Sequence, residues 1–260
     1  MLLVIDVGNS NVVCGGMENG KPRFLIRLAT DRKKTGDEYA LALSALLKLH
    51  DAPEVFAGVA IASVVPQLTQ RLCYAAHLVT GLEPFIIRHG IKLNFSLKTE
   101  APASLGTDLL ADMAAARTKY PLPVLIFDLG TATTLSVLDR GGDYIGGVIL
   151  PGPAIASEAL ARCASQLFPV DLTPPPKLLC GNTRDCLRSG AVLGHAAMLD
   201  GLADRAQSEL GGSAASIVMT GGLAPVIAPL CTHSVRLDAD LTLRGIAELY
   251  RLNVSAPSKR

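Results

Sequence analysis

Two stretches almost half a chain apart carry one pattern: LLVIDVGNSNVV at residues 2–13 and VLIFDLGTATTL at residues 124–135. Each is a run of branched apolar residues ending in Asp-x-Gly, followed by small hydroxyl or amide side chains and a return to apolar ones. A short apolar run closed by a turn signal reads as a buried strand. Asp6-Val7-Gly8 and Asp128-Leu129-Gly130 therefore read as tight turns at strand ends. Such a turn offers backbone N–H groups and short polar side chains to phosphate oxygens, while its carboxylate holds a metal or the metal's water. A lone Asp-x-Gly is an ordinary turn, since Asp and Gly are common turn formers. Repetition with matching flanks is the stronger constraint, because it asks for a duplicated α/β unit with one such turn in each half. The expectation is a cleft that grips one nucleotide from both sides, which is a phosphotransfer site.

Composition narrows the partner. The chain has 260 residues, is 49% hydrophobic and carries a net charge of +1. That length fits one large domain or two smaller ones with a proper core. Near-zero charge gives no electrostatic reason to bind nucleic acid or an anionic membrane, so a small-molecule partner is favoured. No apolar run reaches the length of a membrane span. The start has no basic region before its apolar residues, and Asp6 interrupts them, so it reads as a first strand rather than a signal peptide. The expected location is cytoplasmic. Six cysteines (Cys14, Cys73, Cys163, Cys180, Cys186 and Cys231) lack any C-x-x-C pair and read as mostly small core residues, with no structural disulfides. The histidines are dispersed without metal-binding spacing. Trp is absent and aromatics are few, against a stacking platform for single strands.

Strands are expected at 2–6, 12–17 and 22–28, with turns at Gly8-Asn9 and Glu18-Asn19-Gly20. A helix opens at Thr35-Gly-Asp-Glu38, capped by Asp37 or Thr35. A strand at 55–65, a helix at 67–79 and a strand at 84–88 follow, then an Ala- and Leu-rich helix at 106–117. The second half repeats the order. It has strands at 124–129, 133–139 and 143–150, helices at about 153–165 and 183–210, a strand at 216–219, a helix near 223–230, a strand at 234–237 and a helix at 242–251. The fold class is α/β: the duplicated ribonuclease-H-like architecture of actin and sugar-kinase ATPases, with two related αβ domains and a cleft between them. The expected domains are 1–118 and 119–253, with a loose tail at 254–260.

Further landmarks occur in a fixed order: DVGNSN at the start, TGDEY at 35–39, SVVPQLT at 63–69, LGTD at 105–108, DLGTATT at 128–134, GGVILPG at 146–152, NT at 182–183, TGG at 220–222 and LRGIAELYRLN at 243–253. Together they resemble type III pantothenate kinases, a family that includes Bvg accessory factor-like proteins, over residues 2–253. The resemblance implies ATP-dependent phosphorylation of pantothenate, the first step of coenzyme A synthesis. It implies that Asp6, Val7, Gly8, Asn9, Ser10, Asn11, Val12 and Val13 form the first ATP-binding loop. In that loop Asp6 stands near magnesium, and Asn9 and Ser10 meet phosphate oxygens. Thr131 is then the second phosphate contact, and Asp128 the ligand of an activating monovalent cation, potassium or ammonium. Gly106, Thr107, Asp108, Leu109 and Thr183 would border pantothenate, with Asp108 as the base. The implied assembly is a homodimer.

Elementary chemistry supports the role of Asp108 separately. Phosphoryl transfer is mostly positioning and charge neutralisation, so a base need only orient a hydroxyl, and a helix N-terminus favours a carboxylate. The plainer alternative for Asp108 is a simple helix cap. Two positions depart from the family loop: Leu109 stands where arginine is usual, and Asp112 where asparagine is usual. The first removes a fixed charge and a five-donor fork. The second sets a carboxylate four residues from Asp108, expected on the same helix face and raising one pKa of the pair. Arg88 and Lys98 are basic residues upstream that could compensate. These departures favour one alternative to the kinase, a nucleotide-binding paralogue without turnover that acts as a regulator or partner; a further alternative is another kinase or phosphatase of the same fold with a different small substrate.

Overall fold

The computed structural model describes residues 1–254, so the expected tail lies outside them from residue 255 onward. The chain divides into two compact units. The first comprises Met1–Ser96, Glu100–Thr118 and the segment from Asp240; the second comprises Leu97–Thr99 and Lys119–Ala239.

In the first unit, β1 (Leu2–Val7), β2 (Asn11–Glu18), β3 (Lys21–Ala29), β4 (Gly58–Ser63) and β5 (Phe85–Ile86) form a sheet in the order β3-β2-β1-β4-β5. The first three strands run antiparallel in sequence, whereas β4 and β5 join parallel to β1. Central β1 and β4 are buried almost throughout, and β3 alternates between buried and exposed residues. That contrast is what a covered centre and a half-covered edge require. Helices α1 (Gly36–Leu49) and α2 (Pro66–Thr80) supply Tyr39, Leu43, Leu68 and Leu72 to a core with Leu3, Ile5 and Ile61. Thr35, rather than Asp37, caps α1: its hydroxyl accepts the Glu38 N–H, and Glu38 reaches back to the Thr35 N–H in a capping box. The strand expected at 55–65 is shorter than its apolar run. Phe56 serves the core from the preceding loop, and Pro66 opens α2.

The same unit contains α3 (Thr107–Lys119) and α7 (Leu241–Asn253). Residues Leu110 to Ala116 of α3 are all buried, so this helix is enclosed on every side, which its small Ala side chains permit. Helix α7, expected in the domain at 119–253, belongs to the first unit and packs on β1, β2 and β4. It does so through a glycine. A Cβ at Gly245 would lie 1.7 Å from the Ala111 carbonyl oxygen, so the α3 and α7 backbones meet where no side chain fits.

The second unit repeats the plan. Strands β6 (Val124–Leu129), β7 (Ala132–Leu138), β8 (Tyr144–Pro151), β9 (Ser216–Thr220) and β10 (Arg236–Leu237) pair in the order β8-β7-β6-β9-β10, again three antiparallel strands followed by two parallel ones. The duplication therefore holds at the level of topology. Helix α5 (Thr183–Glu209) buries Val192, Ala196 and Leu199 against Leu125, Phe127 and Met219. The short α6 (Ala224–Ile227) follows β9, and α4 (Pro153–Cys163) buries only Pro153. Buried Asp238 is bound by Lys119 Nζ at 2.8 Å and the Tyr120 hydroxyl at 2.6 Å. Among the described residues no helix is long and apolar enough to cross a membrane, and all six cysteines are free.

Candidate active site

The first Asp-x-Gly turn joins β1 to β2. Asp6 pairs with Val13 across the hairpin and with Ala62 on the other side. The Gly8 N–H donates to the Asn11 carbonyl at 3.0 Å, which closes the turn and leaves Asn9, Ser10 and Asn11 exposed. Val12 is buried and Val13 half-buried in the returning strand, so they anchor the loop. The charge of Asp6 is felt nearby: burial, with the Asp6 carboxylate second, pushes the Cys14 thiol up to about 12. Thr30, at the end of β3, donates its hydroxyl to the Gly8 carbonyl (2.7 Å) and its N–H to the Ser10 carbonyl (3.0 Å). Sequence reading missed Thr30. Only the β2–β3 register brings residue 30 back to residue 10, and no local pattern announces it.

Asp108 lies at the start of α3, and its place is set by its neighbours. The Thr107 hydroxyl donates to the Ser63 carbonyl (3.1 Å) and accepts the Ser63 N–H (3.0 Å), which ties the helix start to the end of β4. Ser63 is level with Val7 in the sheet. Gly106 occupies the cap position, since its carbonyl accepts the Leu110 N–H, so Asp108 is inside the first turn and is not the cap. A Cβ at Gly106 would fall 2.2 Å from Asp108 Oδ1, so glycine there leaves the carboxyl its room. Burial holds the Asp108 carboxyl above its ordinary range, opposed by the hydrogen bond it accepts from the Leu109 N–H. A carboxyl that is reluctant to ionise in its resting state is more basic, as a proton acceptor requires.

Asp112 does not act on Asp108 as its spacing suggested. It is buried and accepts the Thr242 hydroxyl of α7 at 2.7 Å, and the shift at Asp108 is accounted for by burial. Position 112 is a link between helices. Lys98 is also committed, to Asp139 at 2.8 Å and Asp143 at 3.1 Å. Arg88 is exposed just beyond β5.

In the second unit the matching turn is one residue shorter. Asp128 pairs with Thr134, and the Gly130 N–H donates to the Ala132 carbonyl at 3.0 Å. Two other landmarks converge on it. Gly221, at φ +94°, would place a Cβ 2.4 Å from Asp128 Oδ1, and Gly152 would place one 2.5 Å from the Thr131 carbonyl. The TGG and LPG motifs are thus close approaches of backbone to the turn, which only glycine allows. Each turn offers a single carboxylate, and no group of three acidic, His or Cys residues gathers among the described residues. That donor set fits a hard cation whose shell is completed by phosphate and water rather than a protein cage.

Thr183 is the exposed first residue of α5. Asn182 caps it by accepting the Asp185 N–H at 2.9 Å, and the Asn182 amide returns a bond to the Asp185 carboxylate at 2.8 Å. The NT motif is thus a helix start. Further along α5, buried His195 shares a 3.0 Å hydrogen bond with Thr133 of β7, and burial lowers its pKa.

A profile of the type III pantothenate kinase family matches residues 2–205. The chain belongs to this family. A type III pantothenate kinase of Thermomicrobium roseum is 42% identical over 96% of this chain and 96% of its own length. One from Moorella thermoacetica is 39% identical over 97% of this chain and all of its own. The kinase fold extends to more distant structures. A Campylobacter jejuni protein described as a Baf family transcriptional activator covers 96% of the chain with TM-score 0.62 at 20% identity, and 97% of that protein is matched. The activator of 2-hydroxyisocaproyl-CoA dehydratase from Clostridium difficile, solved with ADPNP, covers 96% with TM-score 0.50 at 15% identity, matched over 94% of its length. At such identities the likeness is one of fold alone.

Proposed function

We propose that the protein transfers the γ-phosphoryl group of ATP to the hydroxyl of pantothenate, giving 4′-phosphopantothenate and ADP at the first step of coenzyme A synthesis. Family membership over nearly the whole chain carries this reading. Asp108 accepts the hydroxyl proton as the hydroxyl oxygen bonds to the γ-phosphorus and the bond to ADP breaks. The residues from Asp6 to Val13 hold the nucleotide, with Asn9 and Ser10 donating to phosphate oxygens, and Thr131 adds a second contact. Asp6 would hold magnesium and Asp128 a monovalent cation such as potassium or ammonium; these ions supply charge neutralisation on the phosphates. Gly106, Thr107, Leu109 and Thr183 border pantothenate, and of Arg88 and Lys98 it is Arg88, outside the Lys98 ion pairs, that is offered to its carboxylate. The protein works in the cytoplasm as a homodimer.

No observation favours a regulator without turnover. Asp112, one of the two departures behind that reading, is accounted for by its bond to Thr242. A coupled assay of ADP release with pantothenate and MgATP tests the proposal. Release should depend on pantothenate and fall severalfold when a bulky organic cation replaces potassium. Release independent of pantothenate would defeat the kinase reading, and equal rates in both salts would defeat the role of Asp128.

A further inference from the structure

The loop after β3 is built onto the phosphate turn by more bonds than a connector needs. Thr30 holds the carbonyls of Gly8 and Ser10. Two residues on, Arg32 Nη2 donates to Asn9 Oδ1 at 3.1 Å. Arg32 is itself held: Arg71 Nη1 of α2 donates to the carbonyls of Arg32 (2.8 Å) and Lys34 (2.9 Å). The buried Tyr39 of α1 hydrogen-bonds both the N–H and the carbonyl of Asp31 through its hydroxyl, each at 2.9 Å. Two helices thus fix one loop whose exposed side chain reaches the tip of the turn.

The chemistry of this contact has a direction. A guanidinium only donates, so the Asn9 amide must turn its oxygen to Arg32. Its two N–H donors are then directed elsewhere. An unconstrained asparagine samples both amide orientations before a ligand arrives, and only the one with nitrogen outward can donate to phosphate, since the oxygen repels it. We infer that Arg32 is a positioning residue for ATP: it selects the Asn9 amide orientation that donates to phosphate. The inference rests on the kinase reading above and adds a residue that no landmark motif contains.

The test is a double-mutant cycle with R32A, N9A and R32A/N9A. It reads KM for MgATP, KM for pantothenate and kcat, alongside calorimetric affinity for MgATP and the melting temperature. R32A should raise KM and Kd for MgATP by about tenfold, the scale of one hydrogen bond to a charged group. KM for pantothenate and the melting temperature should hold. R32K, which keeps a donor, should recover part of the loss. In the N9A background the arginine change should matter by no more than about twofold, the usual error of additivity. An R32A effect of equal size in both backgrounds would overturn the inference, since Arg32 would then act without Asn9. So would an unchanged affinity in R32A. A parent protein that neither binds MgATP nor phosphorylates pantothenate would instead refute the kinase reading itself.

Discussion

At the scale of the residue, Asp108 combines two demands that pull apart. A helix N-terminus and the Leu109 N–H favour the carboxylate, while burial disfavours it, and burial dominates. Because its folded pKa is raised, the native state holds a proton that the unfolded chain has already released, so stability falls as pH rises through that window. Asp108→Asn removes the penalty. It should melt no lower than the parent at neutral pH, while losing about 10²–10⁴-fold in kcat, the usual contribution of a general base. The acid limb of the parent's kcat/KM profile should lie above the ordinary aspartate value of 3.8. An Asp108→Asn variant with near-parental kcat would remove Asp108 from the mechanism. The acidic and glycine positions here were legible because turns and helix starts are local. Thr30, Arg32 and the true partner of Asp112 were not, since each depends on a contact made across the fold.

At the scale of the element, glycines explain motifs that sequence could only quote. The glycine of LRGIAELYRLN lets α7 touch α3, and there the obstacle is backbone, which cannot give way. Gly245→Ala should therefore destabilise the protein by about 3 kcal/mol or more, in the range of severe overpacking, read as a lower urea midpoint. Gly58→Ala is the control. Its Cβ would meet the Tyr250 ring tip, 2.2 Å from the hydroxyl, and a side chain can swing aside, so the loss should be smaller. Equal losses would mean that the helix contact is looser than it looks. Strand and helix existence followed from apolar periodicity almost throughout. The ends at 55–65 and 84–88 did not, because an apolar residue such as Phe56 can serve the core from a loop.

At the scale of the whole molecule, the second unit leaves apolar side chains outside. Ile149 of β8 is 75% exposed and Leu179 is 82% exposed, and Ile155 and Leu160 of α4 with Met198 of α5 are also exposed. Exposed apolar side chains of this kind are what an interface would cover. A dimer that covers them would bury about 800 Å² on each partner, the standard interface. Light scattering at micromolar concentration should return twice the chain mass of 27.2 kDa, and a monomer mass would refute the homodimer. The duplication itself was visible in the sequence from its two Asp-x-Gly turns. The allegiance of the last helix was not, since an amphipathic stretch does not say which sheet it will cover.

That allegiance sets an order in time. The ribosome delivers the first sheet before the second unit, yet α7, which covers β1, β2 and β4, is made only after the whole of the second unit. The second unit, continuous from Lys119 to Ala239 apart from three residues, has all its strands and helices before α7 leaves the exit tunnel. Domains fold as units during synthesis, so the half that is encoded first is the half that finishes last. Until then its apolar sheet face stays uncovered, and a chain released before α7 is a substrate for chaperones and proteases rather than a shorter enzyme.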